Sequence, residues 1–464
     1  MRFVNKLTAS LLIALLIREV FSFWTGHPFD FELWVRVGYG VVHNLDPYTP
    51  LPQVTGLSFA NPYTSLAQPS IVYFPLWPLI CGSMYLVYGL VGVGDRFAYY
   101  FLLKQPIILG DVMLGYAIYR LVLKYDERNA HWVLRFWLFS PLTILISGVW
   151  GMFDSLAMLF SILAILTVGS IKRGFFSSIA FLIKSIPLIY VLPLTLRRTT
   201  KRLAFPVAAL SGIFVIFGPA LLLHWSIGDM LTAMSASASH TLTTSMSFWG
   251  VIYYVQFEFL KGGLPSYLNN VLGSLWIPAV AVMIYLSCRR WGFESDRSLI
   301  QSMLACTLVF LLFRTQVNEQ YSIYLLSLLA IDVAIWHPMR KRMLYSIVVV
   351  VLVYLVMNNY LLVRFISPVD PNYTTLETTI DHSIGAVRFS LQLAAGVVFS
   401  VQNLILLKEV LTEAPLGNKT SLQQFQNEEV HETQNTFTSP LTSLHAFAGK
   451  TVINQNTRYT PIDR

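Results

Sequence analysis

Two carboxylates stand close together at Asp30 and Glu32, in the stretch HPFDFELWVRVG between His27 and Gly38. Side chains at i and i+2 point to one side in extended backbone and diverge in a helix. Read as an extended loop, the pair converges. It then has the makings of a general base, or of a site for a cation or for sugar hydroxyls. Trp24, Phe29, Phe31 and Trp34 flank the two acids, and this suits a pocket better than a solvated turn.

Further polar groups lie inside or beside apolar runs. Lys104 and Asp111, in LLKQPIILGDVMLGY, are seven apart and share a helix face two turns apart. A charge inside a membrane segment is costly and is by default a functional candidate, against the plainer alternative of a snorkelling Lys and a structurally paired Asp. Lys184 interrupts FLIKSIPLIYVLPL in the same way. Arg314, Asn318, Glu319 and Gln320 cluster in FRTQVNEQY, with Arg314 and Asn318 as i, i+4 neighbours. This group suits a phosphate or a sugar, or the anchoring of a helix end. Asp154, in WGMFDSLAM, opens a helix, where an acid complements the dipole. His240 stands alone in a Ser/Thr-rich connection, and Asp46 in LDPYTP reads as a turn residue before proline. Cys81, Cys288 and Cys306 are scattered through apolar runs with neither a disulfide framework nor a zinc spacing. No phosphate-binding P-loop, nucleophile elbow or zinc helix motif is present.

The elements that must position these residues follow from composition. Hydrophobic residues make up 55% of the 464 and charged residues 12%, about half the charge of a soluble domain. With a mean hydropathy of +0.59, the chain reads as an all-α polytopic membrane protein, because spanning backbone must satisfy its own hydrogen bonds. The net charge of +8 is spread between apolar runs and forms no nucleic-acid stripe. The apolar runs are 7–23, 71–93, 98–123, 132–149, 153–170, 175–196, 203–223, 268–288, 298–313, 320–337, 343–363 and 388–411, giving about ten to thirteen transmembrane helices. The first run lacks a small-x-small cleavage site and reads as a retained helix. Segment 248–260 is short and suits an interfacial helix. The connections 24–70, 224–247 and 364–387 are long enough to be functional. The domain is expected to be 1–411. Residues 412–464, rich in Thr, Gln, Asn and Ser, are expected to form a disordered polar tail.

Arg2 and Lys6 place the N-terminus in the cytoplasm, which puts 24–70 outside. The basic clusters YRLVLKYDER, IKRG and LRRTTKR should all be cytoplasmic, yet simple alternation of the runs does not allow it. The expected cause is a re-entrant pair or a non-spanning run, with FLIKSIPLIYVLPL as the suspect.

Four segments carry a family resemblance, in order, across roughly residues 7–340. They are the early acidic pair followed by DPYTP and YFPLWPL, then SPLTILISGVWGMFDSLAMLFSILAI, then SIAFLIKSIPLIYVLPL, then FRTQVNEQYSIYLLSLLAI. Together they resemble the C-type, polyprenyl-phosphate-sugar-dependent membrane glycosyltransferases, in particular the mannosyltransferase that adds the first mannose to glycosylphosphatidylinositol anchors and its archaeal and bacterial relatives. The resemblance implies a catalytic outer loop after helix 1, with Asp30 as the base and Glu32 in a second acidic place where the family usually has Asp. It implies a hexose, most simply mannose, moved by inverting displacement from a polyprenyl- or dolichyl-phosphate carrier to a lipid-linked or glycan acceptor. Lys104, Asp111, Asp154, Lys184, His240, Arg314, Glu319 and Gln320 are then the candidates for donor and acceptor contacts. No cofactor is required, although a divalent cation at Asp30 and Glu32 is compatible with the chemistry. A microbial plasma membrane is the expected location. The rival from another class is a transporter or lipid flippase with an intramembrane charged pathway.

Overall fold

The computed structural model describes residues 2–57, 71–92, 94–196, 203–238, 243–260, 265–370 and 372–413. Among these there is no strand, and the chain is all-α as expected. The helices are, in order, α1 (Arg2–Ser22), α2 (Pro28–Val42), α3 (Leu76–Val91), α4 (Arg96–Val122), α5 (Glu127–Phe139), α6 (Pro141–Ile144), α7 (Asp154–Leu166), α8 (Ser170–Ile183), α9 (Leu188–Thr195), α10 (Ala204–Leu223), α11 (Ile227–Ala238), α12 (Phe248–Leu260), α13 (Ser266–Ser274), α14 (Trp276–Arg290), α15 (Asp296–Phe313), α16 (Ser322–Ile335), α17 (Lys341–Asn358) and α18 (Tyr373–Thr412).

Six segments are long and apolar enough to cross a membrane: Arg96–Val122, Ala204–Leu223, Tyr267–Arg290, Asp296–Phe313, Pro338–Asn358 and Tyr373–Thr412. A seventh arises if Glu127–Phe139 and Pro141–Trp150, bent by 45° at Ser140, make one broken span. The expected count of ten to thirteen is therefore too high for the described residues. The reason is length. The run 71–93 yields a helix of 16 residues, 153–170 one of 13, and 175–196 breaks into helices of 14 and 8. A straight crossing needs about 20 residues at 1.5 Å each.

The packing explains the orientation conflict. Arg18 on α1 pairs with Asp111 on α4, while Thr25, beyond the end of α1, meets Lys104. These two helices are antiparallel. α2 and α3 run side by side in the same direction: Trp34 meets Trp77, with ring centroids 5.3 Å apart, and a Cβ on Gly38 would lie 2.9 Å from the Cys81 carbonyl oxygen. Both start at the Asp30 end, and α3 does not recross the bundle. Two runs thus depart from simple alternation: α3, which was not suspected, and FLIKSIPLIYVLPL, which was. That segment does reverse sharply, from α8 to α9, with Lys184 at the break. α4 and α7 run parallel, touching at Gly110 and Leu156. A Cβ on Gly174 would sit 2.2 Å from the Ala204 carbonyl, so the start of α10 lies beside the start of α8. The ends of α4 and α7 and the starts of α8 and α10 therefore share the side opposite Asp30. YRLVLKYDER and IKRG lie there, and α10 starts there just after LRRTTKR, whose residues 197–202 lie outside the described residues.

α15 and α16 form the centre. Nearly every residue of each is buried, as befits helices apolar all round. α10 instead exposes Leu210, Phe214, Leu221 and Leu222, a face suited to lipid. The long connections are more structured than the sequence suggested. Region 224–247 contains α11, whose start is capped where Ser226 Oγ accepts from the Asp229 amide at 3.1 Å. Region 364–387 is mostly the first turns of α18, pinned by Arg364–Glu377 and Arg388–Asp381, both at 2.8 Å. The short helix expected at 248–260 is present as α12, docked on α18 where the Phe248 amide donates to Ser400 Oγ. The expected tail begins where α18 ends, and its residues from 414 onward lie outside the described residues.

Candidate functional site

Asp30 sits in the first turn of α2, not in an extended loop. Pro28 at the head of the helix presets the backbone angle, and an acid in the first turn complements the helix dipole. Phe31, Trp34, Val35 and Gly38 then recur at helical spacing and are buried. This apolar stripe overrides the extended reading. On a helix, side chains two apart diverge by roughly 200°, and Glu32 turns inward. It accepts from Arg36 Nε at 2.7 Å, and both groups are buried. Glu32 is therefore corrected from partner of Asp30 to half of an internal ion pair. Among the described residues no three His, Cys, Asp or Glu side chains converge as cation ligands, and the Asp30–Glu32 pair is not assembled as a cation site.

What Asp30 meets instead is a polar cluster drawn from helix ends. Trp150 Nε1 donates to Asp30 Oδ2 at 2.9 Å, and His27 Nδ1 lies 3.1 Å from the same oxygen. The Asp30 side chain keeps 12% of its surface exposed. Burial pushes its carboxyl up. His27, the Trp150 hydrogen bond and the Lys184 ammonium outweigh that and hold it below the ordinary carboxylate value. Trp150 is delivered by a π-helical turn, Leu145–Trp150, that ends at Gly151 with φ +85°. A Cβ on Gly151 would lie 2.7 Å from the Phe31 ring, so only glycine fits both the angle and the contact. Such π turns are frequent at functional sites.

Lys184, at the break between α8 and α9, pairs with Asp154 at the start of α7 at 2.5 Å. Its Nζ lies 4.8 Å from the Phe153 ring centroid, 5.5 Å from that of Tyr321 and 5.6 Å from that of Tyr73. Tyr321 also accepts from Arg314, whose guanidinium lies against Trp276 and Phe310. Next to Tyr321, Glu319 accepts from Asn358 Nδ2 at 2.8 Å and interacts electrostatically with Asp30 and Arg364. Gln320 is buried on the same 3-10 turn. The structure thus gathers Asp30, Asp154, Lys184, Arg314, Glu319 and Gln320 from four separate stretches of sequence.

Burial raises the Glu319 carboxyl to about 7, against weaker opposing pulls from Asn358 and Arg364. Between the ordinary value and about 7 the folded protein holds a proton that the unfolded chain releases, so stability falls as pH rises through that window. Glu319→Gln should remove the loss. Its melting midpoint relative to wild type is expected to rise between about pH 5 and about pH 8. A gap that stays constant with pH would contradict this assignment.

Lys104 and Asp111 share a helix but not a partner. Lys104 Nζ donates to the Thr25 carbonyl at 2.7 Å, to Gly148 at 2.8 Å and to Val149 at 3.0 Å, tying the exit of α1 to the π turn. Asp111 accepts from Arg18 at 2.7 Å, Ser155 at 2.7 Å and Ser147 at 3.1 Å. Both are fully buried. The geometry makes Lys104 a support beneath Trp150 and Asp111 half of a structural pair. Asp46 is the expected turn residue, accepting from the Tyr48 amide at 2.9 Å. His240 lies outside the described residues.

Sequence reasoning passed over His27, Tyr73, Trp150 and Tyr321. His27 stood in the quoted acidic stretch, three before Asp30, a spacing that helical reading would have flagged. Arg18, the buried partner of Asp111, was hidden within the first apolar run. Compared with models of known protein families and with curated proteins, the chain shows no match.

Proposed function

We propose that the Asp30 cluster is the working centre of a membrane glycosyltransferase using a sugar carried on a polyprenyl phosphate. The observation that carries this reading is the placement of a partly open, ionised carboxylate within electrostatic reach of the Lys184 ammonium, in a ring of aromatic side chains. The resemblance of four sequence segments supports it from a second direction. In the reaction, Asp30 takes the proton of an acceptor hydroxyl. That oxygen bonds to the sugar's anomeric carbon as the carbon–oxygen bond to phosphate breaks, and the electron pair leaves with the phosphate. Lys184 and, through Tyr321, Arg314 supply positive charge for the developing phosphate. The site lies opposite the basic clusters, and this supports a reaction at the outer face.

A second reading has its own support. Ion pairs are buried at several places in the bundle, at Arg18–Asp111, Lys184–Asp154 and Arg340–Asp332. Taken without the resemblance, this network favours an intramembrane transport pathway. One pair of assays separates the readings. Purified protein receives radiolabelled polyprenyl-phosphate mannose and a membrane lipid extract, and proteoliposomes receive the same label for flux. Label joined covalently to a new product supports the transferase. Label crossing the bilayer unchanged supports the transporter and removes the first reading.

A further inference from the structure

The pocket on the other side of the bundle has a different chemistry. Gly110 brings α4 and α7 into contact, with a would-be Cβ 2.8 Å from Leu156 Cδ1. Gly115 meanwhile seats α4 against Trp137 of α5 on another face. Beyond the Gly110 contact, towards the helix C-termini, α4 and α7 leave a cavity of about 490 Å³. Its walls are apolar, with Met113, Ala117, Leu159 and Leu163 among them, and at the end of α4 it carries Arg120 and Lys124. Arg120 stands in the last turn of α4 and Lys124 in the turn that follows it, and both line the cavity. Arg120 is braced where its Nη1 donates to the Tyr116 hydroxyl at 3.0 Å. The nearest acid in sequence is otherwise engaged: Asp126 caps α5, accepting from the Asn129 amide at 2.8 Å.

We propose that this groove binds one anionic phospholipid of the surrounding leaflet, with an acyl chain between α4 and α7 and the headgroup phosphate on Arg120 and Lys124. Three observations choose this occupant. The helices on both sides belong to a membrane bundle, so lipid is the molecule that reaches an opening between them. The walls match a hydrocarbon chain, and only the end of the groove is cationic. That end lies on the side carrying the basic clusters, where the cytoplasmic leaflet is negative and basic pockets between helices select anionic headgroups. The site is distant from Asp30 and does not depend on which function the protein has.

The test is native mass spectrometry of the full-length protein, released from mixed bilayers of phosphatidylglycerol and phosphatidylcholine with identical chains. Wild type is expected to retain the anionic lipid about thirtyfold over the zwitterionic one, the scale expected of two interfacial cations. Arg120→Gln with Lys124→Gln, both exposed where α4 ends and turns, should remove the preference while the helical content measured by circular dichroism stays unchanged. Leu163→Trp, which fills the groove, should reduce retention of both lipids. Adding millimolar inorganic phosphate should displace neither. An unaltered preference in the double glutamine variant would overturn the proposal, as would displacement by phosphate alone, which would mark a simple anion site.

Discussion

Lys184→Met is expected to lose roughly 3–5 kcal/mol of stability, because it leaves the Asp154 carboxylate buried without its cation. It is also expected to lose activity by about 10²–10³-fold, the scale for removing one preorganised charge. The two losses come apart in the double variant Lys184→Met, Asp154→Leu. An ion pair replaced by apolar side chains of similar volume is commonly neutral in stability or better, so the melting midpoint should recover. Activity should not, since the ammonium that faces Asp30 and the ring of Tyr73, Phe153 and Tyr321 is still missing. Thermal denaturation in detergent and the rate of the proposed sugar transfer read the two quantities separately. Recovery of both would reduce Lys184 to a structural residue and take the cation out of the proposed centre.

The Arg18–Asp111 pair is expected to behave in the opposite way. Asp111→Leu strands a fully buried guanidinium and takes an acceptor from Ser147 and Ser155, a cost of about 3–5 kcal/mol. Arg18 retains the Ala14 and Leu138 carbonyls, each at 3.0 Å, which places the loss at the lower end. Arg18→Met with Asp111→Leu should regain most of the stability. It should fall short by the price of the Ser155 hydroxyl left without its acceptor, about 1–3 kcal/mol at most, since Ser147 keeps the Thr143 carbonyl at 2.7 Å. Its activity should match wild type, because the pair touches neither Asp30 nor Lys184. The transport reading expects otherwise: a folded double variant with no flux would make this pair part of a pathway.

The sequence made the class of fold legible because bilayer solvation leaves few choices: a chain this apolar must be helical. It did not make the number of crossings legible. An apolar run such as 71–93 reads the same whether it spans or packs beside α2, and only the pairing of Trp34 with Trp77 and Gly38 with Cys81 distinguishes the two. Six of the ten candidate residues converge because helix ends cluster at one level of the bundle, which residue type and spacing hinted at for Asp154 and the 314–320 group. Glu32 failed because a local alternation of two was taken for the backbone period, when Phe31, Trp34, Val35 and Gly38 already marked a period of 3.6. Lys104 and Asp111 were legible as buried charges but not by role. Their partners, Thr25, Gly148 and Arg18, come from distant sequence, and two of the three bonding groups involved are backbone carbonyls or a hydroxyl that no charge pattern reveals.

The central claim is that Asp30 is the base in sugar transfer. It is tested most directly by giving wild type and Asp30→Asn the same radiolabelled polyprenyl-phosphate mannose and acceptor lipid extract, and counting label in product. Asparagine keeps the shape and can still accept the Trp150 hydrogen bond, so the fold should persist. The expected result is label transferred by wild type and a rate lower by about 10²–10⁴-fold in the variant, the range for removing a general base. Transfer by Asp30→Asn at the wild-type rate would contradict the account.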